Sequence, residues 1–578
     1  MDTLDKSAPS ASPSNGDVAR IFERIADVLE IQGENPYKIK AYRNAVDTLR
    51  SLDEPVSRIA SEKRLDTIPG FGDAIRGKIT DILETGTTNL YERIKDAVPD
   101  SVIEILQLPG IGGKTVKLLW EKLGVDSIES LEKAIDAGKV ATIAGMGEKT
   151  AEKIRQSIER GQRFASGVRI DQAAGIVESL SAGLADRPEL SSLMGAGELR
   201  RGADVVHIVD IVGVSTDPAA SLDAFTRLPQ VDKIVDRGPT PTAPSPFQGE
   251  GWGEVHHARV ILHNGATVEL TLADESGFAA LLFRKTGSAA HVARVTEIPK
   301  SARDESEIYA AAGLPFIPVT LREDTGEIEA ARAGKLPRLL TLEDIRGDVH
   351  AHTTATDGEA SIAEMAAAAL AHGYEYMAIT DHSHSLAMVG GLTPERLRAQ
   401  IAEIRALEDS LGIRVFAGSE VDIKADGSLD FDDDLLAALD FVIASSHLYN
   451  NQSREAQTRR MIKAIENPHV DLIAHPTGRL ILRRDPYAVD VEALIEAAAR
   501  THTALEINAA PERLDLKDEY ARQAASAGVK IMINTDAHRT VEYDLMHYGI
   551  TTAQRAWLTP SDVVNALPLA EFEAWLKR

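Results

Sequence analysis

Apolar positions recur at different spacings in successive parts of the chain, and each change of spacing predicts a change of fold. Between residues 17 and 165 they recur every three or four positions, which is typical of amphipathic helices. Between 166 and 290 the pattern is mixed. Short apolar runs there predict strands at 205–215, 232–238, 257–264 and 266–273. Residues 291–340 form a short helical and irregular connector that prolines interrupt.

From residue 341 to the end, apolar strands alternate with alanine-rich helices. The predicted strands lie near 347–352, 376–381, 414–419, 440–445, 471–474, 504–508 and 530–534. This succession of strand–helix units predicts a parallel sheet that closes into a TIM-like barrel of seven strands. Active sites of such barrels lie at the C-terminal ends of the strands.

Composition narrows the class of protein. The 578 residues carry a formal net charge of −26 and include no cysteine. The charge argues against a surface coated with DNA-binding cations, and the missing cysteines exclude disulfides and cysteine–zinc sites. No apolar run is long enough to cross a bilayer, and the N-terminus lacks the features of a signal peptide. We therefore expect a cytoplasmic protein that does not contact a membrane.

Side chains suited to bind metals cluster between residues 348 and 538, in short blocks that mostly follow predicted strands. They are His350, His352, Asp357, His382, Glu420, His447, His475, Asp536 and His538. Imidazole and carboxylate ligands without thiolates suit Zn, Mn or Fe in a hydrolytic site. Because the blocks recur at the ends of barrel strands, the sequence predicts a metal centre at that face of the barrel.

Three related Gly-x-Gly turns, at 68–79, 108–119 and 143–154, interrupt the helical region. Each precedes a helix with Lys or Arg in its first turns, and the repeat resembles the helix-hairpin-helix motif. Glycines allow close backbone approach, and helix N-terminal amides can bind a phosphate. The repeat therefore predicts a grip on the DNA backbone that does not depend on base sequence. The glycines concerned are Gly70, Gly72, Gly110, Gly112, Gly145 and Gly147.

The order of the ligand blocks resembles the polymerase-and-histidinol-phosphatase (PHP) domain. The resemblance implies a trinuclear centre, in which Glu420 bridges two of the metals. The implied ligand sets are His350, His352, Glu420 and Asp536; Glu420, His447 and His475; and Asp357, His382 and His538. Asp381 and Asp422 are then expected to orient ligands from behind. For Arg479 two roles stay open, a contact with a substrate phosphate and a structural ion pair.

The helical N-terminus, mixed middle and C-terminal barrel together resemble the bacterial family X DNA polymerases, over nearly the whole chain. GAGELRRG, at 195–202, is similar to the family's phosphate-binding turn, which implies nucleotide-binding roles for Gly197 and Arg201. Asp210 and Glu269 stand where the resemblance implies carboxylates that hold Mg²⁺. Lys78 stands at the family's Schiff-base lysine, so it is either a lyase nucleophile or a phosphate contact.

Several residues depart from the family's polymerase pattern. Ile208 replaces the first metal-binding carboxylate, and Glu198 replaces the Ser of the phosphate-binding turn. A carboxylate about 4 Å from a phosphate charge costs about 1–4 kcal/mol. Arg284 and Lys285 replace the aromatic pair that would stack on the incoming nucleotide. We therefore predict that templated synthesis is weak or lost.

The patterns and the resemblance together give a fold class and a set of predicted domains. The fold is multidomain, with an all-α helix-hairpin-helix region, an α+β nucleotidyltransferase-like palm and an α/β seven-stranded TIM-like PHP barrel. The predicted domains are a disordered tail (1–16), a helical lyase-like DNA-binding domain (17–95), a tandem helix-hairpin-helix region (96–165), a palm-like domain (166–290) with a loop insertion at 239–255, a truncated thumb and linker (291–340) and the PHP phosphoesterase domain (341–578).

The predicted function is a metal-dependent DNA 3′–5′ exonuclease or phosphoesterase in DNA repair, of the base-excision type by resemblance. Up to three divalent metals, Mn²⁺ or Zn²⁺, would occupy the barrel centre, and Mg²⁺ the palm site. Abasic-site endonuclease and 3′-phosphatase activities would need the same centre. We expect a monomer that binds gapped, nicked or 3′-end DNA. Two alternatives remain: an active gap-filling polymerase with an altered metal site, and a non-catalytic scaffold that binds DNA ends.

Overall fold

A computed structural model describes residues 13–577 of the chain, except 14, 53, 69, 109, 165–166, 240–254 and 300. The chain divides into two compact units, Met1–Ala165 and Ser166–Arg578. Most of the predicted tail and most of the predicted loop 239–255 lie outside the described residues. The first helix begins at Asn15, two residues inside the segment predicted as tail. In the described part of the chain, no helix is both long and apolar enough to cross a membrane.

The first unit is helical, as predicted. Its helices are α1 (Asn15–Gln32), α2 (Pro36–Ser51), α3 (Val56–Ser61), α4 (Asp73–Thr85), α5 (Asn89–Ile94), α6 (Asp100–Leu106), α7 (Gly113–Leu123), α8 (Ile128–Asp136) and α9 (Glu148–Phe164). The three Gly-x-Gly turns immediately precede α4, α7 and α9. The first glycine of each turn has a positive φ, +87° at Gly70, +78° at Gly110 and +87° at Gly145, which L side chains rarely adopt.

The second unit begins with a palm-like sheet and its helices. The strands are β1 (Val168–Arg169), β2 (Leu190–Gly195), β3 (Val205–Val206), β4 (Val209–Ser215), β5 (Val231–Pro239), β6 (His256–Leu262) and β7 (Thr267–Ala273). The main sheet has the order β2-β4-β7-β6-β5, with β4 parallel to β7 and the other neighbours antiparallel. The predicted strands are present, although the first run divides into β3 and β4, and β1 and β2 were not predicted.

Short helices cover this sheet and lead to the barrel. They are α10 (Ile170–Gly183), α11 (Gly197–Arg200), α12 (Pro218–Thr226), α13 (Phe278–Thr286), α14 (Ala289–Arg294), α15 (Glu305–Ala311) and α16 (Glu327–Arg332). The last three pack around a small apolar core that contains Phe283, Ile308 and Tyr309. This core and the palm belong to the same compact unit as the barrel.

The C-terminal region forms the predicted barrel. Its strands are β8 (Gly347–Asp348), β9 (Tyr376–Ile379), β10 (Arg414–Asp422), β11 (Phe441–Ser445), β12 (Leu472–Ile473), β13 (Ala504–Asn508) and β14 (Ile531–Asn534). Each strand pairs in parallel with the next along the chain. A parallel bridge between Ala351 and Ala537 joins the two edges, and the His352 N–H donates to the Ala537 carbonyl at 2.8 Å. The seven-stranded barrel is therefore nearly closed.

Helices surround the barrel, and the last of them covers the N-terminal ends of its strands. They are α17 (Ile362–Ala371), α18 (Pro394–Leu411), α19 (Asp433–Leu436), α20 (Arg454–Ile465), α21 (Val491–Thr501), α22 (Asp518–Ser526), α23 (Met546–Arg555) and α24 (Leu569–Leu576). Phe572 of α24 is fully buried and stacks on Tyr376, at the start of β9, with ring centroids 4.4 Å apart. α24 therefore packs against the N-terminal ends of the strands. The predicted metal ligands lie at the opposite end of the barrel, at the C-terminal ends of the strands.

The first strand of the barrel is much shorter than predicted. The strand near 347–352 ends at Asp348, so His350 and His352 lie just beyond it. Their rings nevertheless converge, with centroids 5.2 Å apart.

Candidate metal centre

All nine predicted ligands meet at the C-terminal face of the barrel, and Glu420 lies at their middle. Its Oε1 is 2.9 Å from His475 Nε2 and 3.4 Å from His447 Nε2. Its Oε2 is 2.9 Å from His382 Nδ1 and 3.5 Å from His350 Nε2. Glu420 is 1% exposed, so these nitrogens surround a carboxylate that water hardly reaches.

Two further carboxylates extend the cluster on either side. Asp536 Oδ1 lies 3.1 Å from His352 Nε2 and 3.4 Å from His350 Nε2. Asp357 reaches His382 Nε2 with one oxygen and His538 Nε2 with the other, both at 3.5 Å. The His382 ring therefore lies between Asp357 and Glu420 and contacts each through a different nitrogen.

The geometry contains three overlapping groups whose potential ligand atoms all lie within 4.8 Å of one another. They are His352, Asp357, His382 and His538; His350, His352 and Asp536; and His382, Glu420 and His447. These groups overlap with the ligand sets that the PHP resemblance implies but are not identical to them, since His352 and His382 each belong to two groups. The assignment of ligands to individual metals stays a prediction.

The cluster contains many buried polar atoms without a hydrogen-bond partner among the described residues. They are His350 Nε2, His352 Nδ1, Asp357 Oδ1, His382 Nδ1, Glu420 Oε2, Asp422 Oδ2 and His475 Nδ1. His382 Nδ1 and Glu420 Oε2 belong to this set although they are 2.9 Å apart, because that contact lacks the geometry of a hydrogen bond. A buried polar atom left unpaired costs about 1–3 kcal/mol. Divalent cations between these nitrogens and oxygens would satisfy most of them, so the donor set fits a multinuclear metal centre.

The charges of the cluster also favour cations. Burial opposes protonation of His382, but Glu420 and Asp357 outweigh it and raise its pKa to about 10. Burial likewise opposes protonation of His538, but Asp357 and Asp536 raise its pKa to about 9. At His352, burial and the neighbouring His382 lower the pKa to about 4. The carboxylates therefore attract positive charge strongly, and His352 offers a neutral nitrogen.

Glu506 is a site residue that the sequence analysis missed. It is fully buried, and its Oε1 lies 2.8 Å from His350 Nδ1. Its other oxygen accepts from the His475 backbone N–H at 2.8 Å. A carboxylate bound to one nitrogen of a histidine directs the other nitrogen toward a metal. The available signal was a charged residue in the middle of an apolar strand, β13.

Asp381 and Asp422 lie behind the ligands. Asp381 accepts from the Thr353 N–H at 2.8 Å and from Gln400 Nε2 at 2.6 Å, and so holds the loop that leads to Asp357. Asp422 accepts from the His447 backbone N–H at 3.3 Å.

Arg479 forms a structural ion pair, which is one of the two roles that the sequence left open. Its Nη1 donates to Asp204 Oδ2 at 2.6 Å, and its Nε donates to the Arg513 carbonyl at 2.8 Å. Its Nη2 donates to the Leu514 carbonyl. Arg479 thus ties the palm to the barrel, and its contact with a substrate phosphate stays a prediction. Arg513 was not predicted, and its Nε lies 3.7 Å from Asp536 Oδ2.

The palm carboxylates are occupied by side-chain cations. Asp210 and Glu269 are direct partners on the parallel strands β4 and β7. Lys285 Nζ, from α13, lies 3.2 Å from Asp210 Oδ1 and also contacts Glu269 Oε1. Arg259 Nε donates to Glu269 Oε2 at 2.8 Å. Burial raises the pKa of Glu269, but Lys285 and Arg259 outweigh it, so that the pKa is lowered.

The predicted phosphate-binding turn packs tightly against this site. Gly197 has a φ of +59°, and a Cβ there would come within 2.4 Å of Asp210 Oδ2. Arg201 Nε donates to Glu323 Oε1 at 2.8 Å, so the connector holds its guanidinium. Glu198 accepts from the His207 backbone N–H at 2.6 Å. These contacts leave the nucleotide-binding roles of Gly197 and Arg201 as predictions.

In the helical unit, the Gly-x-Gly turns are open. At Gly72, Gly110, Gly112, Gly145 and Gly147, a Cβ would meet nothing within 4 Å, and at Gly70 it would meet only Thr48 Oγ1, at 3.1 Å. The backbone of each turn is therefore accessible to a partner. Lys78 Nζ donates to the Ala74 carbonyl at 3.0 Å and lies 5.9 Å from the centroid of the Tyr42 ring. Both roles predicted for Lys78 stay open.

Comparison with known proteins identifies three domain families in this chain. A helix-hairpin-helix domain family matches residues 13–88, a SAM-like helix-hairpin-helix tandem matches 102–160, and the PHP domain family matches 348–510. DNA polymerase/3′-5′ exonuclease PolX of Bacillus subtilis is 36% identical over 97% of this chain and 99% of its own. A probable phosphatase of Acetivibrio thermocellus is 28% identical over 40% of this chain and 95% of its own. Another, of Shewanella sediminis, is 29% identical over 39% and 90%.

Proposed function

The chain belongs to the family X DNA polymerases that carry a C-terminal PHP domain, and from this premise we propose that its barrel is a metal-dependent DNA 3′–5′ exonuclease. We further propose that it acts in DNA repair, and that the palm holds DNA but has weak or no polymerase activity.

The observation that carries this proposal is the set of buried, unpartnered ligand atoms around Glu420. Mn²⁺ or Zn²⁺ bound there would supply an activated water and positive charge for the scissile phosphate. His350, His352, Glu420 and Asp536 are the residues we expect to hold one ion, and the remaining ligands hold up to two more. A complete ligand set of this kind argues against a non-catalytic scaffold.

The surrounding side chains prepare these ligands. Glu506 orients His350 through its Nδ1, so that Nε2 is directed into the cluster. The backbone carbonyl of Asp536 lies 2.8 Å from His538 Nδ1 and leaves Nε2 facing Asp357. Because these orienting groups are themselves buried or hydrogen-bonded, the ligands are held in position before any metal binds.

The substrate proposal rests on the helical unit. The open turns at Gly72, Gly112 and Gly147 each lead into a helix, and such helix N-termini bind phosphates of the DNA backbone. We propose gapped, nicked or 3′-end DNA as the partner. A grip without base reading suits an enzyme that processes strand ends of any sequence.

The palm proposal rests on Lys285. A polymerase of this family needs carboxylates free to hold divalent ions around the triphosphate. Here Lys285 contacts both Asp210 and Glu269, and Arg259 also binds Glu269. Ile208 supplies no ligand. With its charges already neutralised, the site has little affinity left for a metal.

The test is a paired assay on the purified full chain. We expect wild type to digest a 3′-labelled oligonucleotide with Mn²⁺, and the H350A variant to lose this activity. H372A is the matched control, since His372 is at the C-terminal end of α17 and pairs with Asp544 at 3.0 Å. Absence of Mn²⁺-stimulated cleavage by wild type would overturn the exonuclease. Robust primer extension on gapped DNA that Asp210→Ala abolishes would instead establish an active polymerase with an altered metal site.

A further inference from the structure

Two loops at the rim of the metal centre carry large, exposed apolar side chains. Tyr449 is 57% exposed and lies two residues after His447. Met388 is 86% exposed and lies on a loop that leaves His382 and returns to it, where the Leu392 N–H donates to the His382 carbonyl at 2.8 Å. Both side chains therefore project from segments that also carry ligands of the centre.

The backbone of Tyr449 is strained. Its φ is +60°, in the left-handed region that residues with bulky side chains rarely adopt. Strain of this kind persists only where the surroundings enforce it, and it is concentrated at functional sites.

The loop around Tyr449 is held by several hydrogen bonds. Asn450 Nδ2 donates to the His447 carbonyl at 2.9 Å, and Ser446 Oγ donates to Asn450 Oδ1 at 2.8 Å. Tyr487 Oη also donates to the Ser446 carbonyl. The strained conformation is therefore fixed by its neighbours, and the exposed ring is an imposed feature of the rim.

A buried arginine supports the same ring. The Arg460 guanidinium carbon lies 5.8 Å from the centroid of the Tyr449 ring, within cation–π distance. Arg460 is 2% exposed, and its Nε donates to the Lys424 carbonyl at 2.9 Å. The ring thus has a fixed cation nearby and more than half of its surface still open to solvent.

We propose that Tyr449 is the stacking platform for a nucleobase at the strand end that the metal centre cleaves. The proposal rests on the exonuclease function proposed above and names its substrate contact. Every base presents a π-face, so stacking on one ring tolerates any sequence. It also separates nucleic acids from small phosphate esters, which have no base to stack. Tyr449 would therefore direct the centre toward DNA ends.

The test compares two substrates in the full-length, Mn²⁺-loaded enzyme. For Tyr449→Ala we expect KM for a 3′-labelled oligonucleotide to rise about 10- to 100-fold, as for loss of one base–aromatic stack. Turnover of glycerol 2-phosphate, a small phosphate ester without an aromatic ring, should not change. Tyr449→Phe keeps the ring and should stay within about 3-fold of wild type on both substrates. Val541→Ala removes another exposed apolar side chain, at 62% exposure, and should change neither substrate's kinetics.

A second measurement separates stacking from a structural role. An oligonucleotide whose 3′-terminal residue is abasic should be as poor for wild type as the normal strand is for Tyr449→Ala, and the variant should not distinguish the two. An equal loss on the oligonucleotide and on the small phosphate ester, or an unchanged KM for the oligonucleotide, would refute the stacking role. If wild type cleaves neither the oligonucleotide nor the small phosphate ester, the exonuclease proposal and the stacking proposal are both refuted. If wild type cleaves both and Tyr449→Ala behaves as wild type, only the stacking proposal falls.

Discussion

The barrel centre and the palm site both bring buried carboxylates to neighbouring parallel strands, but they differ in the cations that face those carboxylates. Around Glu420 the partners are histidines, which become neutral ligands when they lose a proton. Beside Asp210 and Glu269 the partners are Lys285 and Arg259, which keep their charge. The first arrangement can accept metals, whereas the second already contains its cations.

This difference shows that acidic residues alone do not identify a metal site. The carboxylates of the palm are as well buried as many metal ligands, with Glu269 only 5% exposed. The barrel differs because many of its ligand atoms are buried without a hydrogen-bond partner. Among the described residues, the carboxylates of Asp210 and Glu269 have no such atom.

The largest effect should follow from Glu420→Gln, because Glu420 contacts five histidines of the centre. We expect Mn²⁺-dependent cleavage to fall by more than about 100-fold, since loss of an orienting group alone typically costs 10- to 100-fold. Metal content, measured on the purified protein, should fall as well. Asp210→Asn is the matched palm substitution and should leave cleavage unchanged. Equal losses in the two variants would mean that the two sites do not differ as described.

Lys285→Met should destabilise the palm. It removes the ammonium between Asp210 and Glu269 and leaves two neighbouring carboxylates with too little positive charge. We expect the free energy of unfolding, measured with urea in EDTA, to fall by about 3 kcal/mol. Added Mn²⁺ should restore part of this loss, because the variant then resembles the barrel centre. A variant as stable as wild type, with no response to Mn²⁺, would contradict the role given to Lys285.

Glu506→Gln should weaken the barrel centre without removing a ligand. Because Glu506 orients His350, we expect metal affinity to fall about 10- to 100-fold. Isothermal titration with Mn²⁺ measures this directly, and cleavage should recover at high Mn²⁺. Full activity at limiting Mn²⁺ would show that the ring needs no such support.

The smallest effect concerns pH. Lys285 and Arg259 lower the pKa of Glu269, so its ion pairs stabilise the fold above the ordinary pKa and are lost as pH falls through the folded value. We expect this contribution to be smaller than the loss that Lys285→Met causes. In Lys285→Met this acid-side loss should shrink or reverse. Urea unfolding of both proteins at neutral and acidic pH tests it, and parallel pH profiles would count against it.

Much of the barrel was predictable because the signals that specify it lie within short stretches of sequence. Parallel strands are buried on both faces, so they appear as short apolar runs, and the ligands follow those runs directly. The glycines of the hairpins were recognisable for the same reason, since their positive φ values belong to the turn itself. The nine ligand candidates therefore came together as the fold prediction required.

What the sequence did not reveal depends on distant partners. Arg479 could be assigned no single role because Asp204 is 275 positions away. Lys285 was recognised only as a missing aromatic residue, since its contact with Asp210 depends on how α13 packs on β4. Glu506 was overlooked because one acidic residue in an apolar strand does not show which histidine it will meet.

The Arg479–Asp204 pair also bears on whether the barrel can be separated from the palm. The probable phosphatases match 39–40% of this chain over 90–95% of their own length, so proteins much shorter than this chain share part of its sequence. Here a buried guanidinium of the barrel takes its carboxylate from the palm. If this barrel were transferred into another protein without the palm, Arg479 would lose its carboxylate partner. Such a transfer would therefore need a substitute for Asp204.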